Sequence, residues 1–163
     1  AQKPAFLTEQ IAKEVVEAVM QMLRTTPSIS SELRRLDMGH ICVLVPVTRE
    51  ESGPYQVLFE KSFGDKKKWP YPFDQICNDK SHQIWTGASD GGSVTPHTLF
   101  IGDTPFWGGV KREGIVVAFS GVQEWFDRMI ASVVADMIIA RAHHAFNAWM
   151  NDERNQESCF VSP

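Results

Sequence analysis

Apolar and polar residues alternate along this chain with three helical periods and several strand-like runs, and the longest period lies near the C-terminus. Over Ser120–Asp152 the apolar positions recur at helical steps and predict one long helix. Phe126, Ile130, Val133, Met137 and Ala140 centre on one face, and Val134, Ile138 and Ile139 carry the apolar surface well beyond it. Ser120 and Gln123 have the spacing of a capping box, which would start this helix at Ser120. A helix so widely apolar is expected to pack on a sheet of its own chain and on a second body, another helix or a neighbouring subunit.

The remaining pattern follows in chain order. Thr8 is suited to cap a first helix, with Glu9 in its first turn and Ile11, Val15, Val16, Val19, Met20 and Leu23 at helical spacing; Pro27 ends it near Thr26. A short second helix is predicted from Ser30 or Ser31, with Leu33 and Leu36 on its apolar edge and a stop at Gly39. HICVLVPV, residues 40–47, is a nearly continuous β-branched run, as a strand covered on both faces requires. YQVLFEK, residues 55–61, pairs with it as a hairpin across the loop TREESGP. GDKKKWPYP is a connector without regular structure. Phe73–Gly87 reads as a third helix, with Asp74 at its start and Ile76, Cys77, Lys80, Ile84 and Trp85 on its inner side. A glycine- and serine-rich loop, residues 87–98, precedes candidate strands at 98–101, 108–113 and 114–119, the last two joined through the tight hairpin REG.

This order, with hairpins joining the strands, describes an α+β domain: an antiparallel sheet with helices packed on it. The 163 residues fit one domain spanning 1–163, with residues 153–163 as a frayed tail or a segment laid over a partner. A hydrophobic fraction of 43% and a charged fraction of 22% place it among globular proteins. No uninterrupted apolar run approaches the ~18 residues of a membrane span, so no membrane partner is expected. Cys42, Cys77 and Cys159 are odd in number and lack a C-x-x-C spacing, which suits a reducing compartment. A cytoplasmic location is expected, although a leader removed before residue 1 would leave no trace and export stays open. The net charge of −4 argues against nucleic acid, and Lys66, Lys67 and Lys68 beside Trp69 and Tyr71 read as a solvated loop.

Four features in this order resemble the GlcG/HbpS-like family, also described as haem-degrading or PduO C-terminal-like domains. They are the opening LTEQIAKEVVEAVMQ, the hairpin ICVLVPV to YQVLFEK, the helix DKSHQIWTGAS with a lysine ahead of its small-residue end, and GGVKREGIVVAFSG followed by Asp127 and Ala131. The likeness covers roughly residues 6–145, and TREESGP, Trp125 and Phe126 depart from the family's pattern. It implies a profilin-like α/β/α arrangement, assembly into symmetric homo-oligomers and, in some members, binding of haem or a related tetrapyrrole.

Candidate chemistry is sparse. Gly87–His97 with Thr104–Gly109 forms the best ligand mouth: Gly108 and Gly109 allow backbone amides to approach an anion, while His97, Phe106 and Trp107 can stack on a flat ring. Lys80 is expected to pair with a ligand propionate or with Asp127. His144 follows Val133, Met137 and Ala140 at helical steps, where a buried neutral imidazole would ligate iron; no other metal is expected. Ser132, Asp136 and His143 share a helix face, but Asp136 and His143 are ~10.5 Å apart along the axis, too far for a triad. The reading is therefore a homo-oligomeric protein binding a small ligand, a tetrapyrrole or a small anionic metabolite. The alternatives are an oligomeric scaffold without a ligand and an enzyme using His97 or Lys80 as acid or base.

Overall fold

The structure is a computed structural model describing residues 3–50 and 53–152. The hairpins form as the pattern predicts. β1 (Gly39–Pro46) pairs antiparallel with β2 (Tyr55–Phe63), β3 (Gly109–Arg112) pairs with β4 (Ile115–Ser120), and β1 pairs with β4 across the centre, giving the order β2-β1-β4-β3. Glu113 (φ 47°) and Gly114 (φ 86°) both adopt the left-handed conformation at the β3–β4 corner, as a two-residue hairpin turn demands. The sheet is antiparallel throughout, and the α+β class follows.

Period-two alternation explains why β1 and β4 are apolar at nearly every position. Ile41, Val43, Val45, Val117 and Phe119 point into a core shared with α1 (Glu9–Thr25) and α4 (Glu124–Met150). Cys42, Leu44, Val116 and Ala118 point the other way, onto α3 (Phe73–Trp85). Helices thus cover both faces, α1 and α4 on one and α3 on the other, and neither central strand has a polar face to offer. α1 begins as predicted, Thr8 Oγ1 accepting from the Ile11 amide at 3.2 Å.

Three boundaries differ from the pattern-based expectation. The second helix, α2, is one turn at Pro27–Ser30, not a helix running from Ser30 or Ser31 to a stop at Gly39. Pro27 supplies a preset first position, and Arg35 (φ 55°) then turns left-handed, which ends any helix before Leu36. Leu33 and Leu36 are buried nonetheless. Residues 98–101 are not a strand: a 3₁₀ turn spans Pro96–Thr98, and the Asp103 carboxylate accepts from the Phe100 amide at 2.8 Å in place of a neighbouring strand.

The third difference is the start of α4, at Glu124. Ser120 is held in the ladder opposite His40, so the expected Ser120–Gln123 capping box does not form. Gln123 becomes the N-cap and turns its amide away, Oε1 accepting from the Arg34 amide at 2.9 Å and Nε2 donating to the Glu32 carbonyl at 2.7 Å. No side chain caps the first amides of α4.

The buried stripe of α4 is Asp127, Ile130, Ala131, Val134, Ala135 and Ile138. It is rotated from the expected centre, leaving Val133 half-buried, Met137 38% exposed and Ala140 exposed. The chain's own sheet and α1 therefore cover Val134 and Ile138. From Ala140 onward no residue of α4 is buried, although Phe6 packs edge-on against Phe146 at 5.4 Å and Arg141 pairs with Glu14 at 2.7 Å. An 18-residue window of α4 reaches a mean hydropathy of 1.2, meeting the length and composition of a membrane span with 28% of the window buried. A criterion of uninterrupted runs misses this because Arg128, Asp136 and Arg141 punctuate the helix. The tail from residue 153, with Cys159, lies outside the described residues.

This packing sets the cost of truncation. Ile130→Ala, which opens a cavity between α4 and the sheet, is expected to destabilise by about 2–5 kcal/mol. Met137→Ala on the outer face should cost about 0.5 kcal/mol or less. Urea unfolding at a concentration where the chain is monomeric measures both, and equal losses would contradict the placement of α4.

Candidate functional site

An ion pair buried between α3 and α4 is the first unusual feature of the interior. Lys80 and Asp127 are 3% and 2% exposed, with Nζ and Oδ2 3.0 Å apart. Lys80 Nζ also donates to the Phe119 carbonyl at 2.9 Å, and Asp127 Oδ1 accepts from the Val122 amide at 3.0 Å. Helix periodicity puts Lys80 on the inner side of α3 with Cys77 and Ile84, where a lysine is tolerated only because these acceptors meet it. An ammonium has three N–H donors, and two acceptors leave one. Of the two expectations for Lys80, pairing with Asp127 is the one the structure shows.

Burial pushes the Asp127 carboxyl up to about 6, against the opposing pull of the Lys80 ammonium and the Val122 amide. Such a displaced carboxyl at the edge of a cavity is a common mark of a functional site. The buried thiols do not share this character: burial raises Cys42 to about 12 and Cys77 well above its ordinary value, so neither is a ready nucleophile.

The pair forms the floor of a cavity of about 300 Å³. One wall is the turn carrying Arg34 and Arg35, together with Tyr71 and Phe73 from the connector and the start of α3. The lining continues through the turn Gly121–Gln123, hydrogen-bonded to the arginine turn, and the first residues of α4, Glu124 and Trp125, and includes Phe106. Gly121 lets this turn lie against the start of β1, since a Cβ there would lie 2.4 Å from the Met38 carbonyl oxygen and 2.8 Å from Gly39 Cα. Arg35 is pinned in its left-handed conformation: Nε donates to the Gly121 carbonyl at 3.3 Å, and the guanidinium lies 5.7 Å from the Tyr71 ring and 5.5 Å from the Phe73 ring. Strained backbone of this kind concentrates at functional sites. Three basic side chains line the cavity against two acidic ones, and Lys80 already engages one of the latter. The first amides of the 27-residue α4, free of a side-chain cap, add the positive end of its dipole.

The expected mouth is built differently. Its two segments do meet, because the Gly91 carbonyl accepts from the amides of both Gly108 and Gly109 at 3.1 Å. The crevice they enclose beneath Trp107 has no room for a water-sized body, and it touches the larger cavity only through Phe106 and Lys80, which line both. Gly108 serves packing: at φ 138°, a Cβ there would meet Asp127 Cβ at 2.5 Å and Lys80 Nζ at 3.2 Å. Gly109 opens β3. His97 is exposed in its 3₁₀ turn and does not line the cavity. His144, expected to be buried, is exposed on the stretch of α4 beyond Ile138, because the inner stripe runs through Val134 and Ile138 instead.

Of the expected ligand residues, Lys80 and Phe106 meet in the cavity. Arg34, Arg35 and Tyr71 are additions that sequence reasoning did not reach. Their one advance signal was Tyr71 beside a proline on each side, a stiff aromatic in a loop. Ser132 and Asp136, rejected as members of a triad, both engage Arg112, at 3.0 Å and 2.7 Å.

Comparison with protein-family models, curated proteins and solved structures finds no match to this chain. The likeness to the GlcG/HbpS-like family rests on the sequence motifs alone. The lining does not favour haem: it contains no histidine, cysteine or methionine, and Tyr71 is its one side chain of a type that ligates haem iron. Among the described residues no group of three or more His, Cys, Asp or Glu side chains is placed to hold a metal ion.

The displaced carboxyl predicts a pH dependence. Between about 4 and about 6 the folded chain retains the Asp127 proton that the unfolded chain has released, so the native state binds more protons there. This contribution to stability is full below about 4 and is lost as pH rises through about 6. His40, buried with Nδ1 on Ser62 Oγ at 2.8 Å and Nε2 3.6 Å from Glu60, acts in the opposite sense, because burial lowers its value and acid costs stability. Comparing wild type with Asp127→Asn removes the histidine from the difference. Unfolding midpoints should drift against the wild type, relative to the variant, between pH 4 and 6.5; a flat difference would contradict a raised carboxyl.

Proposed function

We propose that this protein binds a small anionic ligand in the cavity between Arg34, Arg35 and the start of α4. The observation that carries the reading is Lys80, its side chain 2% exposed and its Nζ meeting two acceptors, in the lining of a cavity that two arginines also line. A buried ammonium with spare donor capacity is suited to a carboxylate or phosphate oxygen. Arg35, stacked and hydrogen-bonded in advance, meets an anion with little further loss of side-chain freedom. At about 300 Å³ the cavity sits at the lower end of ligand pockets, which favours a small metabolite over a tetrapyrrole. Glu124, which also lines the cavity, tunes the site against highly charged anions.

Titration with acetate and with inorganic phosphate, followed by chemical-shift changes of backbone amides, tests this reading. Saturable shifts at Gly121–Trp125 are expected, with Arg35→Ala weakening the binding about 10- to 100-fold, as loss of a hydrogen bond to a charged group implies. No saturable shift at these residues with either anion would overturn it.

We also propose that copies of the chain associate across the outer face of α4. Support comes from Met129, Val133, Met137 and Ala140, a row at helical steps that is half-buried or exposed on a helix whose apolar window is 28% buried. Sedimentation should show an oligomer at micromolar concentration that Met137→Glu dissociates. A wild-type monomer would contradict this association and leave the ligand site unaffected.

A further inference from the structure

Resting on the anion-binding reading, we infer that the ligand of this cavity is a flat aromatic carboxylate, its carboxylate on Lys80 and Arg35 and its ring among the aromatic side chains at the mouth. The rings carry the inference. Tyr71, Trp125 and Phe106 are 54%, 58% and 44% exposed, and they come from three separate parts of the chain. All three line this one cavity. Apolar rings left in water at one opening, above the buried Lys80–Asp127 pair, are unsatisfied surface that an inorganic anion would leave unused.

The Tyr71 and Phe73 rings are already faced by the Arg35 guanidinium, so planar groups make up one wall before any ligand enters. A ring offered to that wall gains offset stacking and contact with a cation face, neither of which a puckered aliphatic body reproduces. The volume, about 300 Å³, matches a ligand of one or two rings lying partly in the mouth. Head-in, ring-out is the only orientation that serves both features, because the spare Lys80 donor lies at the floor and the exposed rings lie at the opening.

Four probes divide the possibilities: benzoate, cyclohexanecarboxylate, acetate and inorganic phosphate, each titrated while backbone and indole N–H shifts are followed. Benzoate should bind at least tenfold more tightly than acetate and severalfold more tightly than cyclohexanecarboxylate. Tyr71→Ala and Trp125→Ala, at exposed positions, should each weaken benzoate about 2- to 10-fold and acetate by a smaller factor, the Tyr71 ring also facing the Arg35 guanidinium. Equal affinity for benzoate and acetate, or for benzoate and cyclohexanecarboxylate, would overturn the aromatic ligand while the anion site stands. Binding of none of the four would overturn both. Arg35→Lys, which keeps the charge and loses the flat stack, should weaken benzoate more than acetate, and equal losses would count against the ring's place on that wall.

Discussion

One buried ion pair governs how the two sides of this sheet are joined at one end. Lys80 reaches from α3 on one face, Asp127 from α4 on the other, and they meet beside the end of β4, where the Phe119 carbonyl takes a second ammonium proton. Removing two charges from water is costly, and only close geometry with further hydrogen bonds offsets it. The Val122 amide on Asp127 and the Phe119 carbonyl on Lys80 supply those contacts. They also fix where α4 begins, since Val122 lies in the turn between β4 and the helix.

The cavity follows from that constraint. With Asp127 drawn inward, the first turn of α4 is set against the loop bearing Arg34 and Arg35, and Gln123 bridges to that loop through both ends of its amide. The side chain that would have capped the helix is thereby spent on closing the wall, and the uncapped amides stay at the cavity's edge. Gly108 lets the opposite loop approach the pair where any side chain would collide. The proposed anion site is a by-product of holding a charged pair in place, with one donor left over.

What could be read in advance was whatever depends on near neighbours in sequence. The cap at Thr8, the apolar runs of β1 and β4, the hairpin at Glu113 and Gly114 and the helical character of α3 and α4 all express local periodicity or turn chemistry. The start of α4 departs from the local capping signal because the Ser120 backbone is claimed by β1, a strand 80 positions earlier by the register His40 opposite Ser120. The orientation of α4 was misread for a related reason: an apolar helix broad enough to pack on any side carries little information about which side it uses. His144 was placed on a buried arc that the rotation turned outward. Lys80 and Phe106 were legible as an unusual inner lysine and a ring beside glycines. Arg35 was not, because its importance comes from stacking on Tyr71 and Phe73, 36 and 38 positions away.

Lys80 and Asp127 act as one unit, and a double-mutant cycle measures that directly. Lys80→Met and Asp127→Leu should each cost about 3–5 kcal/mol, because each leaves a buried charge without its partner, whereas the double variant should recover most of the loss. Unfolding free energies that add, the double variant losing the sum of the two singles, would contradict the account.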